Sequence, residues 1–414
     1  MPARILIFTA SHLCRNPRVV KEATTLGAAG YDVTVLTVSS LDQFERMDRA
    51  LIASLPFRRV TLDFTTRTPG ARLGNLSHRA ATWGARQMLR WLRLEKAEAL
   101  GPAHALLRRA LALPSDLIIA HTEIPLWAVA ALIRAGRAVA VDIEDWYSED
   151  LLWADRRARP LKLLRRAEKF ALQHARYVST TSQSMAEALA AAAAAPVPMV
   201  LRNVFPLQPR SRLDRPAGGG PQSFVWSSQT IGPGRGLELF FAAWSRLTVP
   251  SQVFLIGGEL PGYREKILRR LPPERRSWVS FIPFVPPESL PQKLTEFDLG
   301  LALEPRWPRN KDLTISNKIF QYFNAGLGVV ATDTAGQSEV LRTAPEAGLI
   351  VTAHETGELA RQLDHLLADP IRLRAMQAAA RRAAEGQFCW EHEAPRLLAA
   401  VDQALTLPSG KIHP

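Results

Sequence analysis

Short apolar, β-branched runs alternate with longer stretches of helical spacing along almost the whole chain. In the first half the strand-like runs fall at 4–9, 32–38, 59–64, 116–120, 138–143, 176–179 and 199–202. In the second half they fall at 223–227, 252–256, 278–281, 298–303, 328–332 and 348–351. Patterns of helical length separate them, among them 17–29, 237–247 and 316–325. Alternation of this kind predicts parallel sheets covered by helices, an α/β chain. Two runs of about six strands predict two Rossmann-like, doubly wound domains, because a single sheet of that width is rare.

The break is expected at residues 205–222, which collect four prolines, three consecutive glycines and three arginines, the signature of a linker. This divides the chain into 1–206 and 207–387. A last helix, from Trp390 to about Leu405, is expected to stand apart from the second sheet's repeat. The alanine tract 190–195 favours a helix end over disorder.

Composition narrows the class. At 414 residues, 47% hydrophobic and 22% charged, the chain is globular and large enough for two cores. Only Cys14 and Cys389 are present, so no disulfide framework is expected and a reducing compartment fits. The longest apolar stretch, 188–201, carries Pro196 and Pro198 and is too short and broken to span a bilayer. After Arg4 a brief apolar run reads as a buried strand, not a signal peptide. A cytoplasmic location is the expectation.

The net charge of +13, from 52 Lys+Arg against 39 Asp+Glu, calls for an anionic partner. Residues 67–109 hold nine Arg and Lys against two Glu. Helical projection sets Arg86, Arg90 and Arg93 on one face and Met88, Trp91 and Leu92 opposite. Such a helix suits an anionic membrane surface. It equally suits a helix that packs its apolar face on its own domain and leaves its arginines in water. No nucleic-acid module is recognisable, so nucleic acid is not an expected partner. Nothing resembles HxxxH or paired CxxC spacing, and no metal is expected.

Three groups of residues carry candidate chemistry. In the second half, Ser227-Ser228-Gln229-Thr230-Ile231-Gly232-Pro233-Gly234-Arg235-Gly236-Leu237 ends a strand and opens a helix. Glycines there admit close backbone approach, the helix start offers free N–H groups, and Arg235 adds a fork matched to phosphate oxygens. Ser228, Gly232 and Gly234 belong to the same candidate cradle. A dinucleotide fingerprint would need glycine at position 237, so Leu237 weighs against an NAD-linked oxidoreductase. The second group opens the helix at 316–325, where Asn317, Lys318 and Gln321 can face a crevice at the strand ends. The third lies in the first half. His12, Asn16 and Arg18 follow the first strand, His121 and Glu123 end another, and Asp145 ends a third.

These residues resemble the retaining GT-B glycosyltransferases, close to glycosyltransferase family 4. The resemblance runs through residues 16–36, 116–132, 141–151, 228–238 and 317–341, and the closing 388–398 is similar to the family's last helix. It implies two Rossmann-like domains facing across a cleft, with the C-terminal helix 388–414 crossing back to the first. The donor nucleotide-sugar would sit on the second domain and a glycan or lipid-linked acceptor on the first. Arg235 and Lys318 match positions expected to hold the donor diphosphate, and His121 matches a histidine near the transferred sugar. No cofactor or metal is implied. Family members typically carry paired glutamates around this helix; here those positions hold Leu313 and Gln321. Gln321 can still bond a ribose hydroxyl, whereas Leu313 cannot replace a carboxylate, and Glu304 and Asp312 lie near in sequence. The substitution keeps a second reading in view, a non-catalytic homologue that binds nucleotide or glycan without turnover.

Overall fold

Among the described residues the apolar runs form thirteen parallel strands in two sheets. The computed structural model describes residues 1–65, 69–214, 220–352 and 355–407. The first sheet holds β1 (Arg4–Thr9), β2 (Asp32–Ser39), β3 (Arg58–Asp63), β4 (Leu117–His121), β5 (Val139–Ile143), β6 (Val178–Thr180) and β7 (Met199–Val200). The second holds β8 (Gln222–Ile231), β9 (Ser251–Glu259), β10 (Val279–Ile282), β11 (Leu299–Ala302), β12 (Gly328–Thr332) and β13 (Gly348–Val351).

Strand order is β3-β2-β1-β4-β5-β6-β7 in the first sheet and β10-β9-β8-β11-β12-β13 in the second. Each chain trace starts in the middle, winds outward one way, then returns to the centre and winds outward the other way. The reversal falls between β1 and β4 in one sheet and between β8 and β11 in the other. Loops leaving the carboxyl ends of those central strands diverge, and this is where doubly wound sheets bind ligands.

The chain divides into one compact unit of Met1–Leu201 with Ala394–Pro414 and another of Arg202–Glu393. The closing helix, Trp390–Thr406, therefore counts with the first unit from Ala394 onward. There Leu397, Val401 and Ala404 are buried, and Tyr31 donates a hydrogen bond to Asp402.

The segment expected as a linker is strapped onto the second unit over its first half. Phe205 bridges to Cys389, and Asn324 donates to the Pro206 carbonyl at 2.7 Å while accepting from the Gln208 N–H at 2.9 Å. Arg212 is buried and paired with Asp298 at 2.8 Å. The whole segment falls within the second unit, which begins at Arg202, and the polar side chains between its prolines find fixed partners. Residues 215–219 lie outside the described residues.

One strand runs further than its apolar pattern. β8 continues through Ser228, Gln229 and Thr230 to Ile231, with a register shift against β9 between Ser227 and Thr230. The polar start of the glycine-rich segment is therefore strand edge, and only Gly232–Gly236 forms the turn.

Candidate functional site

At the central reversal of the second sheet, two loops converge. After β8 the chain turns through Gly232, which is packed so closely that a Cβ would meet Leu260 at 2.6 Å, and then through the exposed Gly234. Gly236 sits at φ +75°, and a Cβ there would lie 2.1 Å from the Leu303 carbonyl oxygen. Only glycine fits, and the close approach brings the half-buried Arg235 against the segment that leaves β11. Arg235 also donates to Ser228 Oγ at 3.5 Å.

The segment leaving β11 carries Glu304, which is 7% exposed. Its Oε1 accepts from Lys318 Nζ at 2.6 Å and from Ser316 Oγ at 3.2 Å. Lys318 also stands over the Trp226 ring, 5.5 Å from its centroid. The position of Lys318 follows from packing one turn later on the helix Asn317–Ala325. Tyr322 is fully buried on β11, where Gly300 leaves room: a Cβ there would lie 2.2 Å from the Tyr322 ring. The Tyr322 hydroxyl accepts from the Ser227 N–H at 3.3 Å, tying the helix to β8 as well. Residues at i and i+4 share a helix face, so Lys318 is held over the same strand ends.

The electrostatics set this place apart. Burial by itself would favour the neutral form of Glu304, yet Lys318, Lys311 and Arg235 outweigh it and hold the carboxyl down at about 2. Three cations thus act on one carboxylate, leaving positive charge unspent. Glu304 Oε2, Ser227 Oγ and Trp226 Nε1 are buried and have no hydrogen-bond partner among the described residues. Unsatisfied buried polar atoms are costly, and here they stand beside surplus positive charge, a setting whose chemistry suits a polar, anionic ligand. Asn317 and Gln321 are half-buried on this helix, and Leu313 is buried.

The first sheet's reversal is organised differently. Thr9 and His121 are register partners at the ends of β1 and β4. His121 is 2% exposed, with Nε2 3.1 Å from Glu22 and Nδ1 3.3 Å from Asp142. Arg18 is fully buried, donating to both Asp142 oxygens at 2.7 and 2.6 Å and to the Leu201 carbonyl at 2.8 Å. It lies 3.3 Å from Glu22 as well. Burial would lower the pKa of His121, but Glu22 and Asp142 reverse that and push it up to about 10. At neutral pH the ring is a fixed cation and not a base.

The other first-unit residues are similarly committed. Asn16 caps the helix Pro17–Ala28 by accepting from the Val19 N–H at 3.2 Å. His12 Nε2 accepts from the Ser40 N–H at 3.1 Å, so its Nδ1 carries the proton and donates to Asp48 at 3.0 Å. Glu123 opens the helix Glu123–Arg134 and pairs with Arg159. Asp145 lies half-buried beyond β5; burial first, then the Asp145 and Asp142 charges, push the neighbouring Glu144 up to about 7. The structure thus brings Arg18 and His121 into one cluster and His12 into another.

Two sets of side chains have ligand atoms within 4.8 Å of one another, His12 with Glu45 and Asp48, and Glu22 with His121 and Asp142. Each already seats a guanidinium: Arg59 lies 2.9 Å from Glu45 and 3.0 Å from Asp48, and Arg18 occupies the second set. Glu304 was legible by rule, because it follows β11 as Arg235 follows β8. Glu22 carried only its i,i+4 spacing from Arg18, and Trp226 and Tyr322 carried no local signal, since they act through contacts distant in sequence.

Two parallel sheets with these reversals define the GT-B class. A glycosyl transferase 4-like domain matches residues 16–203 and a glycosyl transferase-like domain matches 235–399. Together they tile most of the chain, which belongs to this glycosyltransferase family. Among solved structures it is similar to the sucrose-phosphate synthase of Thermosynechococcus elongatus, with a TM-score of 0.70 and 16% identity over 97% of this chain and 98% of that one. Anabaena HepE in complex with UDP gives 0.67 and 19% over 96% and 99%. At such identities the likeness is one of fold. Among curated relatives, the D-inositol 3-phosphate glycosyltransferase of Nocardia farcinica is 32% identical over 176 residues, 42% of this chain and 34% of that protein. A GDP-mannose-dependent monoacylated alpha-(1-6)-phosphatidylinositol monomannoside mannosyltransferase of Corynebacterium glutamicum is 30% identical over 36% of this chain and 38% of its own. The matches span little more than a third of these relatives. No helix among the described residues is long and apolar enough to cross a membrane.

Proposed function

We propose that the protein transfers a sugar, with retention of configuration, from a nucleotide-sugar to a glycan or lipid-linked acceptor in cell-surface polysaccharide synthesis. The observation that carries this reading is the surplus of Arg235, Lys311 and Lys318 over Glu304 at the central reversal of the second sheet. A diphosphate leaving group gathers negative charge as its bond to the sugar breaks, and preorganised cations stabilise that charge. The similar Anabaena HepE in complex with UDP and with UDP-glucose supports a nucleotide-sugar donor. The named acceptors of the curated relatives, an inositol phosphate and a lipid-anchored mannoside, support an acceptor that is itself anionic or held at a membrane. The first unit would then hold the acceptor, at the anionic inner membrane face.

In this reading Glu304 takes the place of the carboxylate absent at Leu313. Its Oε1 orients the Lys318 ammonium, and its free Oε2 accepts a hydroxyl of the transferred sugar. Gln321 meets the ribose. Protein cations serve the leaving group, so the reading invokes no cofactor.

The test is a thermal-shift screen against UDP, GDP, ADP and their sugars, followed by turnover of the stabilising donor with anionic and lipid-linked acceptors. A ligand at a hundred times its dissociation constant stabilises by about 2.7 kcal/mol, well within detection. No stabilisation by any nucleotide would overturn the donor assignment. Stabilisation without turnover against any acceptor would favour the non-catalytic homologue.

A further inference from the structure

The helix Pro69–Leu92 has a face that the first unit does not use. Its inner side is narrow: Ala85 and Leu89 are buried against Ala99, and the exposed Arg86 at the border of that side reaches the Ala99 carbonyl at 3.1 Å. The projection that set Trp91 and Leu92 opposite the arginines left packing and a membrane surface equally open. In the structure Trp91 is 73% and Leu92 63% exposed. Trp83 and Leu76 join them at 67% and 63%.

Spacing explains the arrangement. Positions 76, 79, 83, 86 and 90 advance by three and four residues in turn, so Leu76, Arg79, Trp83, Arg86 and Arg90 form one outward stripe. Trp91 borders it, with the Arg90 guanidinium 5.4 Å from its ring centroid. Arg93 ends the helix at φ +56°, with the Leu94 N–H reaching back to the Met88 carbonyl at 3.3 Å. That turn leaves Leu94 in water at the stripe's end, 48% exposed. Large apolar side chains and guanidinium groups therefore alternate along one exposed edge. No Asp or Glu occurs between residues 64 and 94.

The geometry points to this stripe as the surface that seats the protein on an anionic lipid bilayer. It rests on the membrane-face reading above and names the residues that would make it. Tryptophans and leucines enter the headgroup boundary while the arginines pair with lipid phosphates, and stable anchoring takes both signals together. The charge selects lipid over a second copy of this chain, because a two-fold contact would set Arg79, Arg86 and Arg90 against their own like charges. The exposed Leu76 on the same stripe selects lipid over nucleic acid, whose phosphates would use the arginines alone.

The test is co-sedimentation of the full chain with vesicles of phosphatidylcholine alone and of phosphatidylcholine with phosphatidylglycerol in equal parts. The wild type should sediment with the mixed vesicles and not with the neutral ones. Trp83→Ala with Trp91→Ala should cut partitioning by at least about tenfold, since each indole loses its burial at the interface. Arg79→Gln with Arg90→Gln should cut it by roughly twentyfold and weaken its salt dependence. All four positions are exposed, so melting curves should stay unchanged. The nucleotide response should also be unchanged, which keeps a failure here separate from a failure of the donor assignment. The inference is overturned if the wild type ignores both vesicles, binds both equally, or sediments undiminished in the tryptophan pair. A wild-type dimer dissolved by Trp83→Ala with Trp91→Ala, or duplex DNA that competes vesicles off, would also overturn it.

Discussion

The two sheets share one winding order, and each gathers charge where the winding reverses, yet the two clusters differ in what they leave unspent. In the first, Arg18 and His121 face Glu22 and Asp142, two cations against two carboxylates, all at most 2% exposed. In the second, three cations act on Glu304 and Arg235 is half-exposed. A topological reversal is thus a place where polar residues collect, not by itself a place where ligands bind. Buried polar atoms without a hydrogen bond occur in both clusters, Glu22 Oε1 and His121 Nε2 in one and Glu304 Oε2 and Ser227 Oγ in the other, so it is the balance of charge that tells them apart.

The sharpest way to break this comparison is Asp142→Ala. It strands Arg18 and His121 without their shared carboxylate in the interior, which costs about 3–5 kcal/mol. Chemical denaturation should show that loss; a change under about 1 kcal/mol would mean the cluster is not a structural one.

In the second cluster the effect should fall on binding. Arg235→Ala and Lys318→Ala should each weaken nucleoside-diphosphate affinity by roughly one to two decades, the worth of a charged hydrogen bond of about 1.5–3 kcal/mol. The double variant should lose less than the sum if both meet one phosphate group. Isothermal titration decides it, and wild-type affinity in both single variants would move the donor elsewhere.

Acidity and alkalinity separate the regions further. The pKa of His121 rises from 6.5 unfolded to about 10 folded. Its stabilising contribution is therefore complete below pH 6.5 and disappears as pH climbs through 10. Glu304 is depressed from 4.5 to about 2, so its contribution is present above 4.5 and disappears as pH falls through 2. The stability gap between wild type and His121→Gln should shrink from pH 6.5 to 10, while that between wild type and Glu304→Gln stays level there. A His121→Gln gap that does not change with pH would show that the ring is neutral in the fold.

The smallest effect is expected for Gln321→Glu. A carboxylate accepts both ribose hydroxyls where an amide divides its roles, so nucleotide affinity should hold or tighten by up to about tenfold. A marked loss would show that the amide N–H is used.

Much of this was written locally. The central strands were legible because a strand buried on both faces must be apolar throughout, and that pattern survives without knowledge of its neighbours. The glycine turn and Arg235 were legible because backbone geometry at Gly236 depends on residue type. What sequence could not assign was which polar residues are spent. Arg18 and His12 read like ligand-facing groups until contacts across more than thirty positions, with Asp142 and Asp48, claimed their hydrogen bonds. For Trp91 the sequence left packing and an outward face equally open, and the narrow inner face of its helix leaves it in water. Apolar periodicity is a property of neighbours along the chain, so the sequence by itself determined the two sheets. Whether a charge is neutralised or left free depends on which distant side chain lies within about 3 Å, and only the tertiary structure decided that.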